Sequence, residues 1–181
     1  YKGLNTGAAL SPDGQYVAAT LSKDGNPELY LLHPDTGKVI KRLTHAWGID
    51  TSPAWSPDSK HLVVTGPEDF TRKSALGRFA MDNGLRINGD GYNWTQLIVG
   101  SLDESGEALK VTWRPVPNTL RALEPAWSPD GKLIAFSRYG DGTHNIWTIA
   151  PDGSQATART QFDDGTQVQG ISFTPDARGL L

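Results

Sequence analysis

Apolar positions along the chain fall in runs of only a few residues, each closed by a polar turn. Ala8-Ala9-Leu10, Tyr16-Val17-Ala18-Ala19, Leu29-Tyr30-Leu31-Leu32 and Val39-Ile40 are four such runs within the first 43 residues. The runs are short, rich in β-branched and aromatic residues, and bounded by Gly, Pro and Asp. That pattern predicts strands and argues against helices, whose apolar stripe recurs over three or more turns. Four short antiparallel strands joined by hairpins are expected in each such group.

The groups repeat. Ser11-Pro12-Asp13-Gly14 returns as Ser56-Pro57-Asp58-Ser59, Ser128-Pro129-Asp130-Gly131 and Thr174-Pro175-Asp176-Ala177, at spacings of 45, 72 and 46 residues. Pro presets φ for a tight turn, Asp accepts bonds from the N–H groups that follow, and Gly accepts positive φ. A strand precedes each copy (Ala54-Trp55, Ala126-Trp127, Ile171-Ser172-Phe173) and another follows it. The later turns keep step: Asp13 to Asp35 and Asp130 to Asp152 are both 22 residues. Expected fourth strands are Lys38–Leu43, Glu107–Val111 and, more weakly, Gln155–Arg159. A four-stranded unit of about 45 residues fits a propeller blade. A β-sandwich competes, but it does not call for the same turn at a fixed period. The expected fold class is all-β, a β-propeller of four-stranded antiparallel blades with three complete repeats and the start of a fourth. Blades are expected at about 5–48, 49–117, 121–163 and 166–181. The last unit stops inside its second strand, and residues 1 to 5 lend at most one short strand across a closure. The expectation is therefore a partial propeller, an excised or processed piece of a longer protein; a start without Met or a signal peptide agrees with this.

The second unit is longer than its sisters. Asp58 to Asp103 is 45 residues, which places an insertion at about 67–93 between its second and third strands. Four further residues are expected in the next connection, around Arg114-Pro115-Val116-Pro117. In a propeller such a loop shares an end with the connections between blades, so it reads either as a binding feature or as a tolerated surface insertion. Arg72, Lys73, Arg78 and Arg86 make it modestly basic, a solvated face or a surface for an acidic partner. Repeat geometry places Thr6, Thr51, Glu124 and Gln169, five or four residues before each Ser/Thr-Pro-Asp, at the same end of the channel. Together with Arg72, Lys73 and Arg78 they are the candidate partner-binding residues.

The stretches Asn5–Tyr30, Asp50–Asp58 and Glu124–Ser137 resemble the TolB-type β-propeller repeats of Gram-negative periplasmic proteins. The last of these, Glu-Pro-Ala-Trp-Ser-Pro-Asp-Gly-Lys-Leu-Ile-Ala-Phe-Ser, is a near-ideal copy of that family's blade start. The resemblance implies a non-enzymatic periplasmic scaffold in a Tol-Pal-like envelope system. Its partners would be a Pal-like lipoprotein or Tol proteins, recognised at the channel mouth. The same repeat also builds the gating propellers of prolyl oligopeptidase-like serine peptidases, which is the alternative reading. A carbohydrate-binding propeller with Trp47 or Trp94 as a stacking platform is a second alternative.

Composition narrows the chemistry. Seventeen Lys and Arg against 20 Asp and Glu give a net charge of −3, so no broad basic footprint for nucleic acid exists. Absence of Cys removes disulfides, thiolate metal sites and a Cys nucleophile. No apolar run is long enough for a transmembrane helix. There is no Gly-x-Ser-x-Gly elbow, no phosphate-binding Gly loop and no pair of His at metal-ligand spacing. No catalytic residue, cofactor or metal is therefore expected. His45 and His61 could meet in space, but loop histidines are the simpler reading. The Asp-Gly pairs at 24, 90, 141, 152 and 164 read as hairpin turns better than as calcium loops, since the nearest candidate, Asn88–Asn93, lacks a distal Glu. Trp55 and Trp127 share one repeat position and are expected as anchors between blades, while Trp47 and Trp113 are expected to be exposed.

Overall fold

The computed structural model describes residues 5–23, 27–44, 52–67, 95–106 and 108–181. Twelve strands are present among them, and no helix. The first sheet holds β1 (Asn5–Leu10), β2 (Val17–Leu21), β3 (Glu28–Leu32) and β4 (Val39–Arg42). The second holds β5 (Ala54–Trp55), β6 (His61–Pro67), β7 (Thr95–Asp103) and β8 (Lys110–Pro115). The third holds β9 (Ala122–Trp127), β10 (Ile134–Gly140), β11 (Thr143–Ile149) and β12 (Thr157–Ala158). In each, sequential strands are neighbours and every pairing is antiparallel. A fourth unit has begun, with Phe173 bridged to Leu180 across the Thr174-Pro175-Asp176 turn. The protein is thus an all-β propeller array of four-stranded blades.

Side-chain alternation explains why the apolar runs of the middle blade are continuous. Leu62, Val64 and Ile98 pack toward the first blade against Ala18, Leu29 and Leu31. Val63, Leu97 and Val99 point the other way, onto Ile134, Phe136 and Ile149 of the third. A strand buried on both faces needs apolar residues at every position.

The repeated turn forms one hydrogen-bond pattern four times. In the third blade the Ser128 hydroxyl donates to Asp130 Oδ1 (2.7 Å) and accepts from Leu133 N (2.9 Å), while Lys132 N donates to Asp130 Oδ1 (3.1 Å). Ser11 with Asp13, Ser56 with Asp58 and Thr174 with Asp176 reproduce it. The fourth residue of each turn has positive φ: Gly14 (73°), Ser59 (60°), Gly131 (71°) and Ala177 (59°). These bonds favour the ionised carboxylate. For Asp13, Asp130 and Asp176 the neighbouring hydroxyl is the main cause, followed by the backbone N–H, and the pKa lies below the ordinary carboxylate value. At Asp58 burial pushes upward, but the Ser56 hydroxyl, Lys60 N and His61 outweigh it.

Three expectations change. The fourth strand of the second blade runs from Lys110 to Pro115, not from Glu107 to Val111. Asp103 caps a turn by accepting from Ser105 N and Oγ, and the nine-residue β7 then offers partners as far as Ile98, opposite Pro115. Arg114 and Pro115 are consequently strand residues rather than part of a connection. Trp113 is half-buried instead of exposed. It lies opposite Gly100, where a Cβ would come within 2.6 Å of its ring, and its indole N–H donates to Leu43 O of the first blade (3.3 Å). The Asp-Gly turns at 141, 152 and 164 carry glycine φ values of 84°, 89° and 82°, as hairpin turns require. Those at 24 and 90 lie outside the described residues.

Candidate functional site

Each blade's first strand starts, and its second ends, at the same end of the array. There β1 and β9 each carry a bulge, one extra residue against the neighbouring strand. The bulge residues are Gly7 (φ 59°) and Glu124 (φ 50°), and Gly170 (φ 72°) holds the matching position in the fourth unit. Positive φ is ordinary for Gly and rare for Glu. Glu124 is held in this conformation by a bond into the next repeat: its half-buried carboxylate accepts from Gly170 N (2.8 Å).

Of the candidate residues, Glu124 and Gln169 are therefore brought together, Gln169 being exposed and adjacent to the bonded N–H. Thr6 is exposed on β1, opposite Thr20. Thr51, Arg72, Lys73 and Arg78 lie outside the described residues, as do Arg86, His45, Trp47 and Trp94. The segment joining β6 to β7 leaves from this same end, since Pro67 is paired with Thr95 there.

A hollow of about 540 Å³ that repeat reasoning did not find also opens at this end, beside the third blade. Arg138, Trp147, Asn145 and Phe162 line it. The Arg138 guanidinium sits 4.6 Å from the Trp147 ring centre and donates to Leu120 O (3.2 Å) and Asn118 O. Burial, reinforced by Arg121, lowers the Arg138 pKa. Phe162 is 42% exposed, and its N–H donates to Asn145 Oδ1 (2.7 Å). Trp147 occupies the repeat position of Tyr30, yet Tyr30 is buried and Trp147 only half-buried. The departure of those twins in exposure comes from their surroundings, which the repeat alignment does not encode.

Sequence reasoning also missed a threonine that closes each blade. Thr44, Thr119 and Thr160 accept from the third-strand N–H groups of Leu29, Leu97 and Ile146 (2.9, 3.0 and 2.9 Å). In the first blade Thr44 also donates to Glu28, a buried carboxylate paired with Arg42 (2.9 Å). The signal was present in Thr44 and Thr160, each near the end of its unit.

Comparison with known proteins agrees with this architecture. The profile of the TolB beta propeller domain matches residues 1–72. The chain is 28% identical over 153 residues to the Tol-Pal system protein TolB of Francisella tularensis subsp. mediasiatica, covering 74% of this chain and 35% of that protein. Over residues 1–72 the chain thus carries TolB-type propeller repeats. It is also 28% identical over 148 residues to the uncharacterized peptidase YuxL of Bacillus subtilis, covering 74% of this chain and 22% of the relative. Among solved structures, the putative TolB of Agrobacterium tumefaciens superposes with a TM-score of 0.61 at 22% identity, over 86% of this chain and 46% of that one. The chain spans about a third or less of the length of these two curated relatives.

Proposed function

We propose that this TolB-like propeller is a non-enzymatic protein-binding scaffold of the periplasm, working in a Tol-Pal-like envelope system. The observation that carries the reading is the 28% identity to a Tol-Pal system TolB across 153 residues, covering 74% of this chain. Its partner surface is the end where the blades start. Thr6, Glu124 and Gln169 lie at that end; the sequence repeat adds Thr51, and the 67–93 insertion adds Arg72, Lys73 and Arg78, all four outside the described residues. The hollow under Arg138 and Phe162 adds an aromatic and a guanidinium, the side chains that most often carry binding energy at interfaces. A Pal-like lipoprotein or a Tol protein is the expected partner. The reading is tested by capture from a periplasmic and membrane extract on the immobilised chain, with Glu124→Ala and Phe162→Ala variants alongside. Enrichment of a Pal-like lipoprotein or Tol protein, weakened in the variants, is expected. Recovery of no envelope protein overturns it.

A second reading rests on the similar identity to the peptidase YuxL. There the propeller would accompany a serine hydrolase unit and gate its substrates. Labelling of the full gene product by a fluorophosphonate probe separates the two, since a scaffold contains no activated serine to label.

A further inference from the structure

The two seams between the complete blades are built from the same repeat positions but closed differently. Between the first and second blades, Trp55 donates its indole N–H to Ala9 O (2.9 Å). Tyr16 stacks on that Trp with centroids 6.4 Å apart and passes its own proton toward Glu104 (2.5 Å). Ser59 reaches across to accept from Asp13 N (3.0 Å). Trp55, Tyr16 and Ser59 thus each have a partner at this seam.

Between the second and third blades, His61 stands in place of Tyr16, and Gly131 in place of Ser59. Trp127, the counterpart of Trp55, lies 6.3 Å from the His61 ring at a tilt of 42°. Its Nε1 is buried and has no protein acceptor. A smaller ring on one side and a missing side chain on the other leave a cleft of about 300 Å³. Asp58, His61, Arg114, Trp127 and Asp130 line it.

We propose that this cleft is a binding site for a neutral sugar ring. Its lining carries both signs of charge, so an anion meets Asp58 and Asp130 and a cation meets Arg114. A hydroxyl is donor and acceptor at once, and suits a wall that mixes carboxylates with a guanidinium. The Asp58 side chain is 53% exposed and that of Asp130 44%, so both can be reached from solvent. Trp127 supplies the flat apolar surface against which the C–H face of a pyranose packs. The site lies at the opposite end of the blades from the proposed partner surface and stands or falls independently of it.

Calorimetric titration of the full chain with glucose, galactose, mannose, N-acetylglucosamine, lactose and cellobiose tests this, with glucosamine and glucuronate as charged controls. At least one neutral sugar is expected to bind saturably and more tightly than either control. His61→Tyr, which rebuilds the closed seam, is expected to weaken that binding roughly tenfold or more, and Trp127→Leu, which removes the flat ring, by about fivefold. Thermal unfolding of both variants establishes that they fold. No saturable binding of a neutral sugar, equal or tighter binding of a charged control, or unchanged affinity in folded His61→Tyr each overturns the proposal.

Discussion

At the scale of single residues, the Ser/Thr-Pro-Asp turn is a small machine for satisfying backbone groups. The Ser128 hydroxyl is buried, donates to Asp130 and accepts from Leu133 N. Ser128→Ala leaves that N–H unpaired beside the chain reversal. A loss of about 1–2 kcal/mol is expected, read as a lower urea midpoint with an unchanged denaturant slope. The turn's fourth position makes the opposite prediction. Ala177 sits at φ 59° where Gly14 and Gly131 stand in other repeats, and a Cβ there is unfavourable. Ala177→Gly is expected to stabilise by up to about 1 kcal/mol, because relief of that strain exceeds the added entropy of an unfolded glycine. A lower melting temperature for Ala177→Gly would show that the fourth unit's turn is not under such strain. Ser59 shares the conformation but not the prediction, since its hydroxyl accepts from Asp13 N and glycine forfeits that bond.

At the scale of elements, the blades are held by indole anchors whose hydrogen bonding differs between seams. Trp55→Phe removes a bond to Ala9 O, whereas Trp127→Phe removes an N–H with no protein partner. Both trim the same ring, so the shared loss of packing cancels in a comparison. Trp55→Phe is expected to cost about 1 kcal/mol more than Trp127→Phe in urea unfolding without ligand. Equal costs would mean that the bond to Ala9 contributes nothing net. This pair also marks how far the sequence can be read. Blade order, strand direction and the Trp anchors follow from a turn that recurs with its neighbours, because local turn chemistry and period-two burial both leave a mark on the chain. The open seam leaves none within either repeat. It arises because Tyr16 becomes His61 in one unit and Ser59 becomes Gly131 in the next, and only their meeting across a blade interface turns two substitutions into a cleft. The fourth strand of the second blade was misplaced for a related reason. Its register is set by the long β7 opposite it, and by Gly100 making room for Trp113, both remote in sequence.

At the scale of the whole molecule, repetition makes one local effect act four times. Asp13, Asp58, Asp130 and Asp176 all have pKa values below 3.8 in the folded chain. A carboxyl whose folded pKa is depressed contributes stability above its unfolded value and loses it as pH falls through the folded one. Stability from the four turns is therefore complete above about pH 4 and declines below it. Tyr16 acts at the other extreme. Its bond to Glu104, aided by burial, raises its pKa to about 12 from 10.0. A raised pKa contributes stability that is present below the unfolded value and is lost as pH climbs from 10 toward 12. Urea midpoints measured from pH 2.5 upward should show a plateau with an acid shoulder and an alkaline one. Asp130→Asn should lower the plateau and flatten part of the acid shoulder without touching the alkaline one, and Tyr16→Phe should do the reverse. An acid shoulder that is as steep in Asp130→Asn as in the parent would place the acid sensitivity elsewhere than in the repeated turn.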